Sequence, residues 1–95
     1  ELFRIRVGCL LKGDSKNHNL MHTDFDFPHK TMLYYANDSD GDTIIDTTEQ
    51  IVTVSPKSGR IVLFDGNYYH ASSNPIFNTH RFVITFNFFN SLTLL

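Results

Sequence analysis

The chain has 95 residues, 41% hydrophobic and 14% aromatic, with a formal net charge of −2 at pH 7. That length makes one domain, 1–95, whose folding buries only roughly 60–65% of the surface that the unfolded chain exposes. The near-neutral charge speaks against a nucleic-acid partner, and no apolar run approaches the ~20 residues that span a bilayer, so no membrane partner is expected either.

The first β-rich run, Phe3 to Leu11, holds the only cysteine, Cys9. A lone cysteine excludes an internal disulfide and suits a reducing compartment, so a cytoplasmic location is expected. The run closes at Lys12-Gly13-Asp14-Ser15, and Leu20 to Phe27 follows, ended by Pro28. Thr31 to Ala36 is the third run. Thr43 to Thr47 and Gln50 to Val54 read as a hairpin around Thr48-Glu49. The turn signal Ser55-Pro56-Lys57-Ser58-Gly59 precedes Arg60 to Phe64; Tyr68 to Ser72 comes after Asp65-Gly66-Asn67. Arg81 to Phe89 is the last run and reads as core sequence.

Eight short strands without a helix predict an all-β fold, a double-stranded β-helix or jelly roll of two antiparallel sheets. A seven-strand immunoglobulin-like sandwich is the plain alternative, but its cysteine pair and buried Trp are missing. In a jelly roll the strands pair first with eighth, second with seventh, third with sixth and fourth with fifth. The eighth also lies beside the third. The aromatic side chains outside any site are expected in the core.

That pairing brings chemistry together. His22 and Asp24 stand at i and i+2 of the second strand and share a face; His70 lies on the predicted neighbouring strand. Two histidines and a carboxylate form the facial triad that holds iron(II) with positions left open. With five His and ten acidic residues, a His-x-Asp is easily met by chance, so placement carries the argument rather than the motif. Asp26 continues the same face as a decoy or a supporting group. His18 and His29 fall by turns, and His80 alternates away from its neighbour Arg81. Arg81 opens the last strand, where its planar guanidinium can hold a carboxylate through two parallel hydrogen bonds. Tyr34 and Tyr35 alternate faces, and Tyr35 is favoured as the one beside Arg81.

From about His22 to Phe88 the chain resembles the Fe(II)/2-oxoglutarate-dependent oxygenases, specifically their prolyl-4-hydroxylase-like branch. The resemblance rests on His22-Thr23-Asp24, Leu33-Tyr34-Tyr35-Ala36-Asn37, Asp40-Gly41-Asp42-Thr43, Val54 through Phe64, His70, Pro75 and Arg81. It implies iron(II) on His22, Asp24 and His70, with 2-oxoglutarate held by Arg81 and Tyr35. O2 is the further cosubstrate, and the implied reaction is hydroxylation of a C–H bond with release of succinate and CO2. Prolyl hydroxylation of a peptide or protein leads the implied substrates, with small molecules open. Ala36 departs from the usual Leu, and many members have Lys at the position of Arg81. The first half of the usual domain, with its supporting helices, is absent. With the opening Glu1-Leu2-Phe3-Arg4, which lacks an initiator Met, this suggests the core of a longer protein.

Two other readings stand beside this one. A cupin-type metal protein on the same fold is suggested by Gly59, His70 and Asn74, although Asp65 and Asn67 stand where Pro and Gly are usual. Its early motif should offer two histidines and a glutamate rather than His-x-Asp. A non-catalytic jelly-roll binding module needs neither a metal nor an inward Arg81.

Overall fold

Alternating side chains punctuated by Gly, Pro, Asn and Asp leave each run only a few residues in which to hydrogen-bond, which suits short antiparallel ladders. The computed structural model describes residues 1–15 and 17–89. The described residues form seven strands and no helix: β1 (Leu2–Leu11), β2 (Lys30–Tyr35), β3 (Thr43–Asp46), β4 (Ile51–Val54), β5 (Ile61–Asp65), β6 (Tyr69–Ala71) and β7 (His80–Phe88). Nothing among them is therefore a helix long and apolar enough to cross a membrane.

The strands make two antiparallel sheets, ordered β1-β7-β2-β5 and β4-β3-β6. First pairs with last, β2 with both β5 and β7, and β3 with β4. The segment around His22 joins β6 through a bridge between His22 and His70. These are the pairings of a double Greek key, and the chain is a double-stranded β-helix.

Two expectations need correction. The predicted strand from Leu20 to Phe27 is not formed; only His22 makes a ladder contact. Its neighbour β6 is three residues long, and beyond the bridge the segment makes one further backbone bond to that side, Asn19 N–H to the Ser72 carbonyl at 2.7 Å. Phe25 and Phe27 instead stack on each other, 5.1 Å between centroids, and both pack against Phe3.

The remaining aromatics do not all join the core. The buried apolar cluster is Leu33, Tyr35, Ile45, Phe64 and Val83, with Val52, Val54, Val62 and Tyr68 against it. On β7 the buried positions are Arg81, Val83, Thr85 and Asn87, while Phe82, Ile84, Phe86 and Phe88 alternate to the other face. Ladder register places Ile5 opposite Phe86, Val7 opposite Ile84 and Leu63 opposite Met32. The outer face of the larger sheet is thus largely apolar, and the inner face of its last strand is largely polar. Alternation is obeyed, with the usual sense reversed.

Turns hold the ends in register. Gly59 takes φ +84° at the third position of a turn closed by Arg60 N–H donating to the Lys57 carbonyl. That conformation favours glycine. Asp40 organises the loop before β7: its carboxylate accepts from the amides of Ile76, Phe77 and Asn78 at 2.8, 3.1 and 2.9 Å. Slight burial pushes its pKa up, but the amides outweigh that and hold the carboxyl below the usual carboxylate range.

A carboxyl lowered in the folded state stabilises above its unfolded pKa, and that contribution is lost as pH falls through the folded value. Asp40→Asn should therefore destabilise the protein at pH 7, by about 1 kcal/mol or less since solvent reaches the carboxylate and two of its three amide partners. The gap to wild type should close as unfolding is followed into acid. A gap equally large at pH 7 and pH 2 would contradict the role given to the charge.

Candidate metal centre

The site begins with a strand pairing. The amide of His22 donates to the His70 carbonyl, and the amide of His70 to the His22 carbonyl, each at 2.9 Å. This reciprocal pair sets the two imidazoles side by side, 4.7 Å between centroids. Each ring is then oriented by its own backbone. His22 Nδ1 lies 2.9 Å from the Leu20 carbonyl and His70 Nδ1 3.0 Å from that of Tyr68. A carbonyl only accepts, so Nδ1 carries the proton and a neutral ring presents its lone pair at Nε2. This is how metal-binding histidines are commonly fixed.

Asp24 supplies the third donor. Its side chain is only 3% exposed, and its Oδ1 lies 3.4 Å from His22 Nε2 and 3.5 Å from His70 Nε2. Donors bound at about 2.1 Å to one ion stand roughly 3.0–3.4 Å apart, so these separations suit shared coordination. All three ligand atoms lie within 4.8 Å of one another, and the group is one that could hold a metal ion. Borderline nitrogen and hard oxygen donors suit first-row divalent metals as a class. Asp26 is exposed and outside the group.

The other oxygen of Asp24 faces the larger sheet. Asn87 Nδ2 donates to Oδ2 at 3.1 Å, and Arg4 Nη2 stands 3.4 Å from it as an ion pair without hydrogen-bond alignment. Arg4 Nε in turn donates to Asn87 Oδ1 at 2.8 Å. Burial pushes the Asp24 pKa up, but His70 when its ring is protonated on both nitrogens, the hydrogen bond from Asn87 and the charge of Arg4 outweigh it. The carboxyl is held well below the usual range, so it stays ionised. One oxygen faces the histidines while the protein holds the other.

Arg81 lies in the same cavity and is 1% exposed. Its Nε donates to the Gly41 carbonyl at 2.8 Å and its Nη2 to Thr43 Oγ1 at 2.6 Å. Gly41 has φ +92°, and a Cβ there would meet the Ser73 carbonyl at 2.5 Å, so the chain passes under Arg81 only as glycine. Among the described residues Arg81 has no ion-pair partner. Burial lowers its pKa, opposed by Tyr35 and Asp42.

Tyr35 is fully buried, with its ring 5.5 Å from the Arg81 guanidinium carbon. Its hydroxyl meets Thr43 Oγ1 at 2.7 Å rather than the cavity. Thr43 is the residue between them that lines it. The cavity is about 300 Å³, and its lining includes His22, Asp24, His70, Thr43, Arg81 and Thr85.

No family model matches the chain, and no curated protein does. Among solved structures, it is similar to a crystal structure of a cupin protein from Bacteroides fragilis, with a TM-score of 0.68 and 11% identity over 96% of this chain and 70% of that one. The likeness is one of fold. The jelly roll read from the strands is therefore matched by a known example; the His-Asp-His group is an observation on this chain alone.

Sequence reasoning brought His22, Asp24, His70, Tyr35 and Arg81 to one region; the structure lines one cavity with His22, Asp24, His70 and Arg81, while Tyr35 lies behind Thr43 and does not reach it. That reasoning gave Arg4, Thr43 and Asn87 no role at the site. Asn87 carried a readable signal: an amide six residues after Arg81 shares its face, between two phenylalanines.

Removing Asp24 takes away both a donor and a charge, whereas Asp26 touches none of the group. Iron(II) titration should show binding lost in Asp24→Ala and largely kept in Asp26→Ala. Asn87→Ala frees Oδ2 and should weaken iron binding roughly 10- to 100-fold, the usual effect of losing an outer-shell partner. The opposite order for the two aspartates would place the carboxylate wrongly.

Proposed function

We propose that this protein is an Fe(II)- and 2-oxoglutarate-dependent dioxygenase that hydroxylates a C–H bond. The observation that carries the reading is a buried guanidinium, Arg81, with no carboxylate at ion-pair distance among the described residues and only the more distant charge of Asp42 nearby, in the cavity lined by His22, Asp24 and His70. Burying a charge is costly unless an opposite charge or several hydrogen bonds meet it. Two neutral acceptors, Gly41 O and Thr43 Oγ1, meet this one only in part. An anionic ligand would complete it.

Sheet register supports the spacing. Ile45 stands opposite His70 on β3, and Thr43 lies two residues further on, roughly 7 Å along the strand. A short dicarboxylate with one end beside His70 would reach the Thr43–Arg81 pair with its other end. In the resulting assignment His22, Asp24 and His70 hold the metal, and Arg81 clamps the distal carboxylate. Thr43 orients the Arg81 fork, while Tyr35 supports both from beneath and excludes water. When bound with 2-oxoglutarate and O2, iron(II) would supply the oxidation that converts C–H to C–OH as the cosubstrate becomes succinate and CO2. The protein's part is a dry cavity, fixed ligands and an open side.

A second reading, a cupin-type metal protein that does not use 2-oxoglutarate, is favoured by the structural likeness. It gives Arg81 no ligand. The two readings part at the cosubstrate.

Arg81→Ala should weaken 2-oxoglutarate binding by about 2–5 kcal/mol, roughly 30- to several-thousand-fold, with iron affinity nearly unchanged. Arg81→Lys, which keeps the charge and loses the fork, should be milder. The measurement is cosubstrate affinity for the three proteins, with iron loading and thermal unfolding checked for each. Equal affinity in a folded alanine variant would leave the cupin reading standing instead.

A further inference from the structure

The cavity holds a second arginine that the assignment above does not use. On β1 the residues turned toward the opposite sheet are Arg4, Arg6, Gly8 and Leu10, set by register against Asn87, Thr85, Val83 and Arg81. Arg4 is spoken for by Asn87 and Asp24. Arg6 lines the cavity beside His22 and Thr85, yet its side chain makes no hydrogen bond or ion pair among the described residues. It is exposed, as is His22, whose side chain is 46% accessible; both stand at the wet rim of the cavity.

Charge then narrows the class of molecule that enters. The charged side chains lining the cavity are Arg6, Arg81, Asp24 and the histidines when protonated. Asp24 is committed to the histidines on one side and to Asn87 and Arg4 on the other. Arg81 lies four residues along β7 from Thr85, the partner of Arg6, roughly 13 Å away along the strand. One anion short enough to bridge the metal group and Arg81 therefore leaves Arg6 free at the opposite edge. Arg6 thus leaves an uncompensated positive charge at the rim, and such a charge concentrates anions.

Size narrows it further. About 300 Å³ lies at the bottom of the range for small-molecule sites, and here cosubstrate and substrate would share it. Gly8 presents no side chain between Arg6 and Leu10, so the wall is low where a substrate would pass.

Resting on the oxygenase reading, we infer that Arg6 is a specificity-determining residue that binds the carboxylate of a small-molecule substrate and so aims a nearby C–H bond at the His22–Asp24–His70 group. The substrate is a small carboxylic acid, such as a free amino or hydroxy acid, rather than a neutral stretch of polypeptide. The fork of Arg6 suits a planar carboxylate through two parallel hydrogen bonds.

The test uses the full chain loaded with zinc(II) and 2-oxoglutarate, an unreactive complex, titrated calorimetrically with free amino acids and hydroxy acids one at a time. The carboxamide of every acid that binds is titrated next. Phosphate monoesters of similar size form a separate arm. At least one acid should bind, with its carboxamide roughly 10- to 100-fold weaker. Arg6→Ala should abolish that preference, binding acid and amide alike, and Arg6→Lys should keep part of it. Retained preference for the acid in Arg6→Ala overturns the inference, as does binding of phosphate esters but no carboxylic acid, or of none of these probes. Failure of the oxygenase reading looks different: wild-type protein loaded with metal would then not bind 2-oxoglutarate at all.

Discussion

The carboxylate of Asp24 joins the two halves of this molecule. Oδ1 faces His22 and His70, which the smaller sheet holds through their mutual backbone pairing. Oδ2 is held by Asn87 and Arg4 from the larger sheet. Neither sheet alone can place the donors, because the histidines come from one and the carboxylate's supports from the other. A side chain 3% exposed with both oxygens engaged has little rotational freedom, and that is what a preorganised ligand set requires. An isolated buried carboxylate would be destabilising; here cationic and amide partners keep it ionised in place.

Arg81 follows the same logic at the other end of the cavity. The inner face of β7 reads Arg81, Val83, Thr85, Asn87, so one strand delivers the guanidinium and the support for Asp24 on a single pleated surface. The hydrophobic cluster around Leu33, Tyr35 and Phe64 packs beside this polar face. The domain gives up apolar burial on that strand, and its phenylalanines turn to the outer face instead. For so short a chain this is a real cost in stability. It makes sense where the polar interior is the working part.

The strand pairings were legible because turn residues recur at short intervals and the Greek key admits few ways to connect what lies between. The same pairings put His22 beside His70. The extent of the second strand was not legible: Leu20 to Phe27 alternates well enough, but a ladder needs a partner, and β6 offers three residues. The direction of β7 was misread for a related reason. Alternation of Phe with Val, Thr and Asn shows that two faces differ, and composition alone assigns the apolar one to the core. What decides it is Arg81, whose inward position fixes every second residue after it. Arg4 gave no local signal, and Thr43 only its place in the Asp40–Thr43 segment, since each acts through a residue far away in sequence, Thr43 through Arg81 and Arg4 through Asn87.

The account stands on iron and 2-oxoglutarate sharing one cavity, the metal on His22, Asp24 and His70 and the distal carboxylate on Arg81. Anaerobic titration with iron(II), with and without 2-oxoglutarate, addresses that directly. A weak visible charge-transfer band that appears only when both are present is the predicted result. Iron that binds tightly, with no band and no change in affinity on adding 2-oxoglutarate, would contradict it.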